Sequence, residues 1–116
     1  MKIDSCPQAN GVSKQSQDII GEYLSHSISL GQMQQFAGIS AIALQAGKPL
    51  IMMETNTASC GGFAGFSDTF GAALWGIDWA LSMAYTNYTA AMMHLGGQNV
   101  YYNVGKYSRF FHVTFS

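Results

Sequence analysis

The chain has 116 residues, a formal net charge of −1, 48% hydrophobic residues and only 9% charged residues. That length allows one domain, and the net charge argues against nucleic acid, whose binding calls for a basic face. An ordinary soluble domain is roughly 25% charged, so a small chain this poor in charge either enters a membrane or packs against something else.

The membrane alternative fails on pattern. Residues 23–47 hold no Asp, Glu, Lys or Arg, yet Ser25, His26, Ser27, Ser29, Gln32, Gln34, Gln35, Ser40 and Gln45 interrupt them. A spanning helix needs ~20 mostly apolar residues. The later run from Trp79 to Leu95 is broken by Thr86, Asn87 and Thr89. Met1-Lys2-Ile3-Asp4 begins no signal peptide, because no apolar segment follows it.

In chain order, residues 1–13 read as loop, with Pro7 and the turn pair Asn10-Gly11. Ile19, Ile20, Tyr23 and Leu24 form a short helical stripe between Lys14 and Ser25. One longer helix is then expected, opened by a Ser29-x-x-Gln32 capping box. Gly47 should end it, and Pro49 forbids continuation. Leu50-Ile51-Met52-Met53 reads as a buried strand closed by Glu54, followed by a polar, glycine-rich loop through Cys60-Gly61-Gly62.

Asp68 is the expected N-cap of the next helix. Phe70, Leu74, Ile77, Leu81 and Ala84 recur at helical spacing, and Trp75, Trp79 and Met83 form a second stripe. The helix is apolar over more of its circumference than one core face explains. Ala90-Ala91-Met92-Met93-His94-Leu95 reads as a strand buried on both faces, before Gly96-Gly97. The 104–116 tail has no clear register and is expected to be irregular.

The order is α/β, and a helical crossover between two strands makes them parallel. Parallel pairing puts Glu54, His94 and the two glycine loops on one rim, where α/β proteins place their sites. Glu54 is the leading candidate for a nucleophile or general acid/base. The structural alternative is a carboxylate tied to a cation, and the chain offers only Lys2, Lys14, Lys48, Lys106 and Arg109. His94 is either a substrate contact or a hydrogen-bonded core histidine. Cys60 with His94 could act as thiol and base, but no orienting acid has an obvious place. Asp78, in the middle of a helix, reads as structural. Cys6 and Cys60 lack C-x-x-C spacing, so no metal site is expected, and they permit one disulfide at most. No cofactor motif is present; the Gly61-Gly62-Phe63-Ala64-Gly65 run matches neither phosphate-loop pattern.

Three blocks resemble glycoside hydrolase family 79, the β-glucuronidase and heparanase-like family, most closely its fungal members. They are residues 48–62, 70–76 and 94–103, in order and at family-like spacing. The resemblance implies that residues 1–103 are part of a (β/α)8 TIM barrel, its last two or so βα units: two parallel strands with flanking helices. It implies retaining hydrolysis of O-glycosyl bonds with Glu54 as nucleophile, a glucuronide or related glycan as substrate, and no cofactor. By position, Gly61 and Tyr101, with Gln98 nearby, would help hold the sugar carboxylate. Family members are secreted, and they continue into a β-sandwich domain.

The departures are as informative. A whole barrel takes ~250 residues. The family's acid/base glutamate follows an asparagine, and no Asn-Glu pair exists here; the other glutamate is Glu22. Retaining hydrolysis needs two carboxyls ~5–5.5 Å apart, so the chain alone is expected to be inactive. Gly105-Lys106-Tyr107 can be encoded by a sequence containing an intron donor, which suggests a translated-intron tail on a truncated gene product. The competing expectation is a non-catalytic sugar-binding or interaction module.

Overall fold

The computed structural model describes residues 15–59, 61–62, 64–94 and 112–114. The order of elements is α1 (Ser16–Tyr23), α2 (His26–Gln34), α3 (Ala37–Gln45), β1 (Ile51–Thr55), α4 (Phe70–Tyr85), β2 (Ala90–Met93) and β3 (His112–Thr114). The fold is mixed helix and strand, and β1 pairs with β2 in parallel across the α4 crossover, as the element order requires. The sheet order is β1-β2-β3. Cys6, Cys60, Gln98 and Tyr101 lie outside the described residues, as does the expected loop at 1–13.

The expected long helix is two. α2 ends at Gln34, and α3 begins after Phe36, whose ψ is near zero. Tight backbone bonds Gln35 N–H to Gln32 O (3.2 Å) and Phe36 N–H to Met33 O (2.9 Å) close the break. Bending there lets Phe36 pack against a core that already holds fully buried Met33. The Ser29–Gln32 pair is therefore no capping box. Ser25 is the N-cap, without a side-chain cap bond, and Ser29 and Gln32 are buried inside α2.

The C-terminus of α3 follows expectation. Gly47 takes a φ of +62°. Lys48 N–H bonds to Ala43 O (2.9 Å) and Gly47 N–H to Leu44 O (3.1 Å). This Schellman pattern satisfies two carbonyls at the helix end and requires the left-handed conformation that glycine adopts freely.

At α4 the cap lies one residue later than expected. Thr69 Oγ1 accepts from Ala72 N–H at 3.4 Å, whereas Asp68 Oδ1 accepts from Gly65 N–H at 2.7 Å and closes the preceding turn. Trp75, Trp79 and Met83 are buried, as a core stripe should be. The parallel stripe Phe70, Leu74, Ile77 and Leu81 is exposed. α4 packs on α1, α2 and β2 with one face only.

The core gathers Tyr23, Met33, Phe66, Trp75, Trp79, Met83, Tyr88 and Ala91, with Leu50, Met52 and Met93 packed against it. Tyr23 and Phe66 meet edge to face at 4.5 Å, and Trp75 stacks on Trp79 at 5.8 Å. Such aromatic pairs add ~0.5–1.5 kcal/mol beyond their burial.

Two strand expectations need correction. β1 is not a buried strand: Ile51, Met53 and Glu54 are exposed, Met52 is half-buried, and only Thr55 is fully buried. β2 stops at Met93 and is buried only at Ala90 and Ala91. The tail is not wholly irregular. β3 pairs antiparallel with β2, Ala91 opposite Val113, and covers the β2 edge away from β1. A covered edge leaves fewer unpaired backbone groups to recruit another strand.

Candidate functional site

The site begins with a break in register. Met52 pairs with Ala91, but Thr55 pairs with Met93, so β1 spends one extra residue between them. Simple alternation would send Glu54 to the face that Met52 occupies and Thr55 to the opposite one. The observed pattern is reversed: Glu54 is exposed and Thr55 is buried. The bulge at Met53-Glu54 re-aims both side chains, as bulges next to functional sites do.

Burial of Thr55 has a partner to support it. Trp79 Nε1–H donates to Thr55 Oγ1 at 2.8 Å. Two residues on, Thr57 Oγ1 donates to Ser67 Oγ at 2.8 Å. The Tyr23 hydroxyl donates to the Thr57 carbonyl at 2.5 Å. Burial, with the nearby Glu22 carboxylate adding to it, pushes the Tyr23 phenol up to about 12. The loop after Glu54 is thus pinned from beneath by α1, α4 and the turn at Ser67.

Glu54 and His94 meet on the rim, as parallel pairing predicts. His94 Nδ1 lies 3.8 Å from Glu54 Oε1, with side chains 50% and 74% exposed. This is ion-pair range and too long for a hydrogen bond. Asn56 Nδ2 donates to the His94 carbonyl at 2.7 Å, linking the end of β1 to the end of β2. A carboxylate turned toward solvent, on a strand end tied to its neighbour, can act as nucleophile or base toward a ligand above the rim. Water solvates it, so it is not the costly buried carboxylate expected from the sequence.

Gly61 lies in the loop after β1 with a φ of +85° and is half-buried. Asp78 is paired as its mid-helix position suggested: His26 Nδ1 lies 2.7 Å from Asp78 Oδ1, joining α2 to α4. Among the described residues, no three His, Cys, Asp or Glu side chains converge as a metal site would need, and no helix is long and apolar enough to cross a membrane.

Sequence reasoning missed Asn56, the bulge and the Thr55–Trp79 bond. The available signal was the threonine spacing in Thr55-Asn56-Thr57, which alternates hydroxyls toward one side after an oily strand.

The parallel strand pair and its rim carboxylate define an α/β chain whose comparisons lead to one kind of protein. The chain is 33% identical over 91 residues to a β-glucuronidase of Neurospora crassa, covering 75% of this chain and 16% of that protein. It is 35% identical over 82 residues to a β-glucuronidase of Aspergillus niger, covering 67% of this chain and 15% of that one. These matches show a glucuronidase-like relationship, and the chain spans about a sixth of the length of these curated relatives. No family model matches the chain. No solved structure matches it either.

Proposed function

We propose that this chain is the nucleophile-bearing part of a retaining glycoside hydrolase of the family 79 type. On this reading residues 1–103 form the last two or so βα units of a (β/α)8 barrel, and 104–116 are a tail foreign to it. The observation that carries the proposal is Glu54, which is 74% exposed on a bulge at the rim end of a parallel strand. The β-glucuronidase names of the matched relatives support a glucuronide as substrate.

The chemistry is a double displacement. A Glu54 oxygen attacks the anomeric carbon, and the bond to the leaving oxygen breaks as a second carboxyl protonates that oxygen. Water then displaces Glu54 with the second group acting as base. His94, with Gly61, Gln98 and Tyr101, would contact the sugar. The second carboxyl is not supplied here: the other glutamate, Glu22, lies on α1. The chain alone therefore binds no competent transition state and does not turn over.

The test is complementation. The purified chain should leave an aryl glucuronide intact. Co-expression with the part of the Neurospora protein that precedes the matched stretch should restore hydrolysis, and Glu54→Gln should abolish it. Restored activity that survives Glu54→Gln would remove Glu54 from the nucleophile role. Robust hydrolysis by the chain alone would refute its inactivity.

A further inference from the structure

Asn87-Tyr88-Thr89 is an Asn-x-Thr sequon, and no other Asn in the chain has Ser or Thr two positions on. Such a tripeptide occurs often by chance, and its setting in the fold is what gives it weight. It forms the turn that carries the chain from α4 into β2. Asn87 and Thr89 are exposed, whereas Tyr88 between them is buried in the core. The acceptor amide and the hydroxyl two residues on are thus both open to solvent, on a turn that Tyr88 anchors.

Backbone bonds hold this turn and leave the two side chains free. Asn87 N–H bonds to Ala84 O (3.1 Å), Tyr88 N–H to Met83 O (3.0 Å) and Thr89 N–H to Leu50 O (2.8 Å). Among the described residues, neither the Asn87 amide side chain nor the Thr89 hydroxyl has a hydrogen-bond partner. Asn87 has a φ of +65°, a left-handed conformation that Asn adopts more readily than most residues with a Cβ. The turn lies at the start of β2, opposite the end where Glu54 and His94 meet. In a (β/α)8 barrel, neighbouring units flank strands and helices side by side, so they leave a helix-to-strand turn at the far end uncovered.

We infer that Asn87 is an N-glycosylation site of this chain, its glycan projecting into solvent from the end of β2 away from the Glu54 rim. The donor is an oligosaccharide carried on a polyprenyl diphosphate in the secretory lumen. The bond from Asn87 Nδ2 to the sugar C1 forms as the C1–oxygen bond to the diphosphate breaks. The diphosphate leaves with the electron pair, and one amide proton passes to a base of the transferase. The glycan adds polar cover to a chain with only 9% charged residues. The inference is independent of the role of Glu54.

The test expresses the full chain in yeast behind a cleavable secretion leader. Removal of the leader, read by N-terminal sequencing, shows that the chain has entered the lumen. The parent should run as one glycosylated species that collapses to the unmodified mobility on treatment with a peptide N-glycosidase, which converts Asn87 to aspartate. The enzyme should act on the native chain without denaturant, because the turn is exposed. Asn87→Gln and Thr89→Ala should each lose the glycan, and Thr89→Ser should retain it. Thr89→Ala leaves the left-handed asparagine in place, so its result does not depend on how the turn tolerates Gln. A leader-cleaved parent chain without glycan would overturn the inference, as would a glycan that survives Thr89→Ala. Release only after denaturation would overturn the solvent-facing placement.

Discussion

Trp79 donates its indole N–H to Thr55 Oγ1 at 2.8 Å, and both residues are buried. The bond holds the last residue of β1 inward at the point where the bulge has turned Glu54 outward. Replacing Trp79 by Phe removes the donor, strands a buried hydroxyl and loses ring contact. The expected cost is about 2–4 kcal/mol. Urea titration measures it, and a loss below about 0.5 kcal/mol would show that the bond does not hold the strand end.

Glu54 itself should be dispensable for folding. Its side chain faces solvent, and its contact with His94 is long and exposed. Glu54→Gln is expected to shift stability by no more than ~0.5 kcal/mol. A thermal melt that drops several degrees would mean that the carboxylate has a structural partner instead.

Alkaline pH should weaken the chain through Tyr23. Its phenol is raised from 10.0 to about 12, so the folded state keeps a proton that the unfolded state has released. The stabilisation is complete below pH 10 and is lost as pH rises from 10 through 12. Deprotonation also removes the hydrogen donated to the Thr57 carbonyl. Tyr23→Phe should flatten this part of the stability–pH curve relative to the parent. An unchanged slope in that variant would assign the effect elsewhere, and Tyr88, also raised by burial, is the next group to examine.

Two glycines should respond in opposite directions to alanine. Gly47 ends α3 in the left-handed region at +62°, where a Cβ costs roughly 1–2 kcal/mol. Gly38 lies inside α3, and a Cβ added there would meet nothing within 4 Å. Gly38→Ala should stabilise by about 0.5–1 kcal/mol, because alanine loses less backbone entropy in a helix. Denaturant midpoints moving in the same direction for both would contradict the assigned backbone geometry.

The places where sequence reading succeeded share a cause. Gly47 and Pro49 end a helix by local backbone sterics, which need no tertiary partner. The β1–β2 parallel pairing follows from chain connectivity, and with it the meeting of Glu54 and His94. The misses came from competition between distant groups. Ser29 and Gln32 have capping chemistry, but burial of Met33 and Phe36 places the helix start at Ser25 instead. Asp68 and Thr69 are both able caps, and a turn at Gly65 draws Asp68 away. The apolar stripe of α4 was visible, but the sequence pattern does not say which of two oily faces meets the sheet.

The sequence by itself determined the alternation of helix and strand, the helix stop at Gly47 and the rim that gathers Glu54 and His94. Local sterics and connectivity carry those decisions. Tertiary structure decided which way Glu54 points, because a one-residue bulge reverses a two-residue alternation and contacts distant in sequence, among them the Thr55–Trp79 bond across 24 positions, hold that state. It also decided that Trp75, Trp79 and Met83 are core while Phe70, Ile77 and Leu81 face outward, since hydrophobicity drives burial without specifying against what.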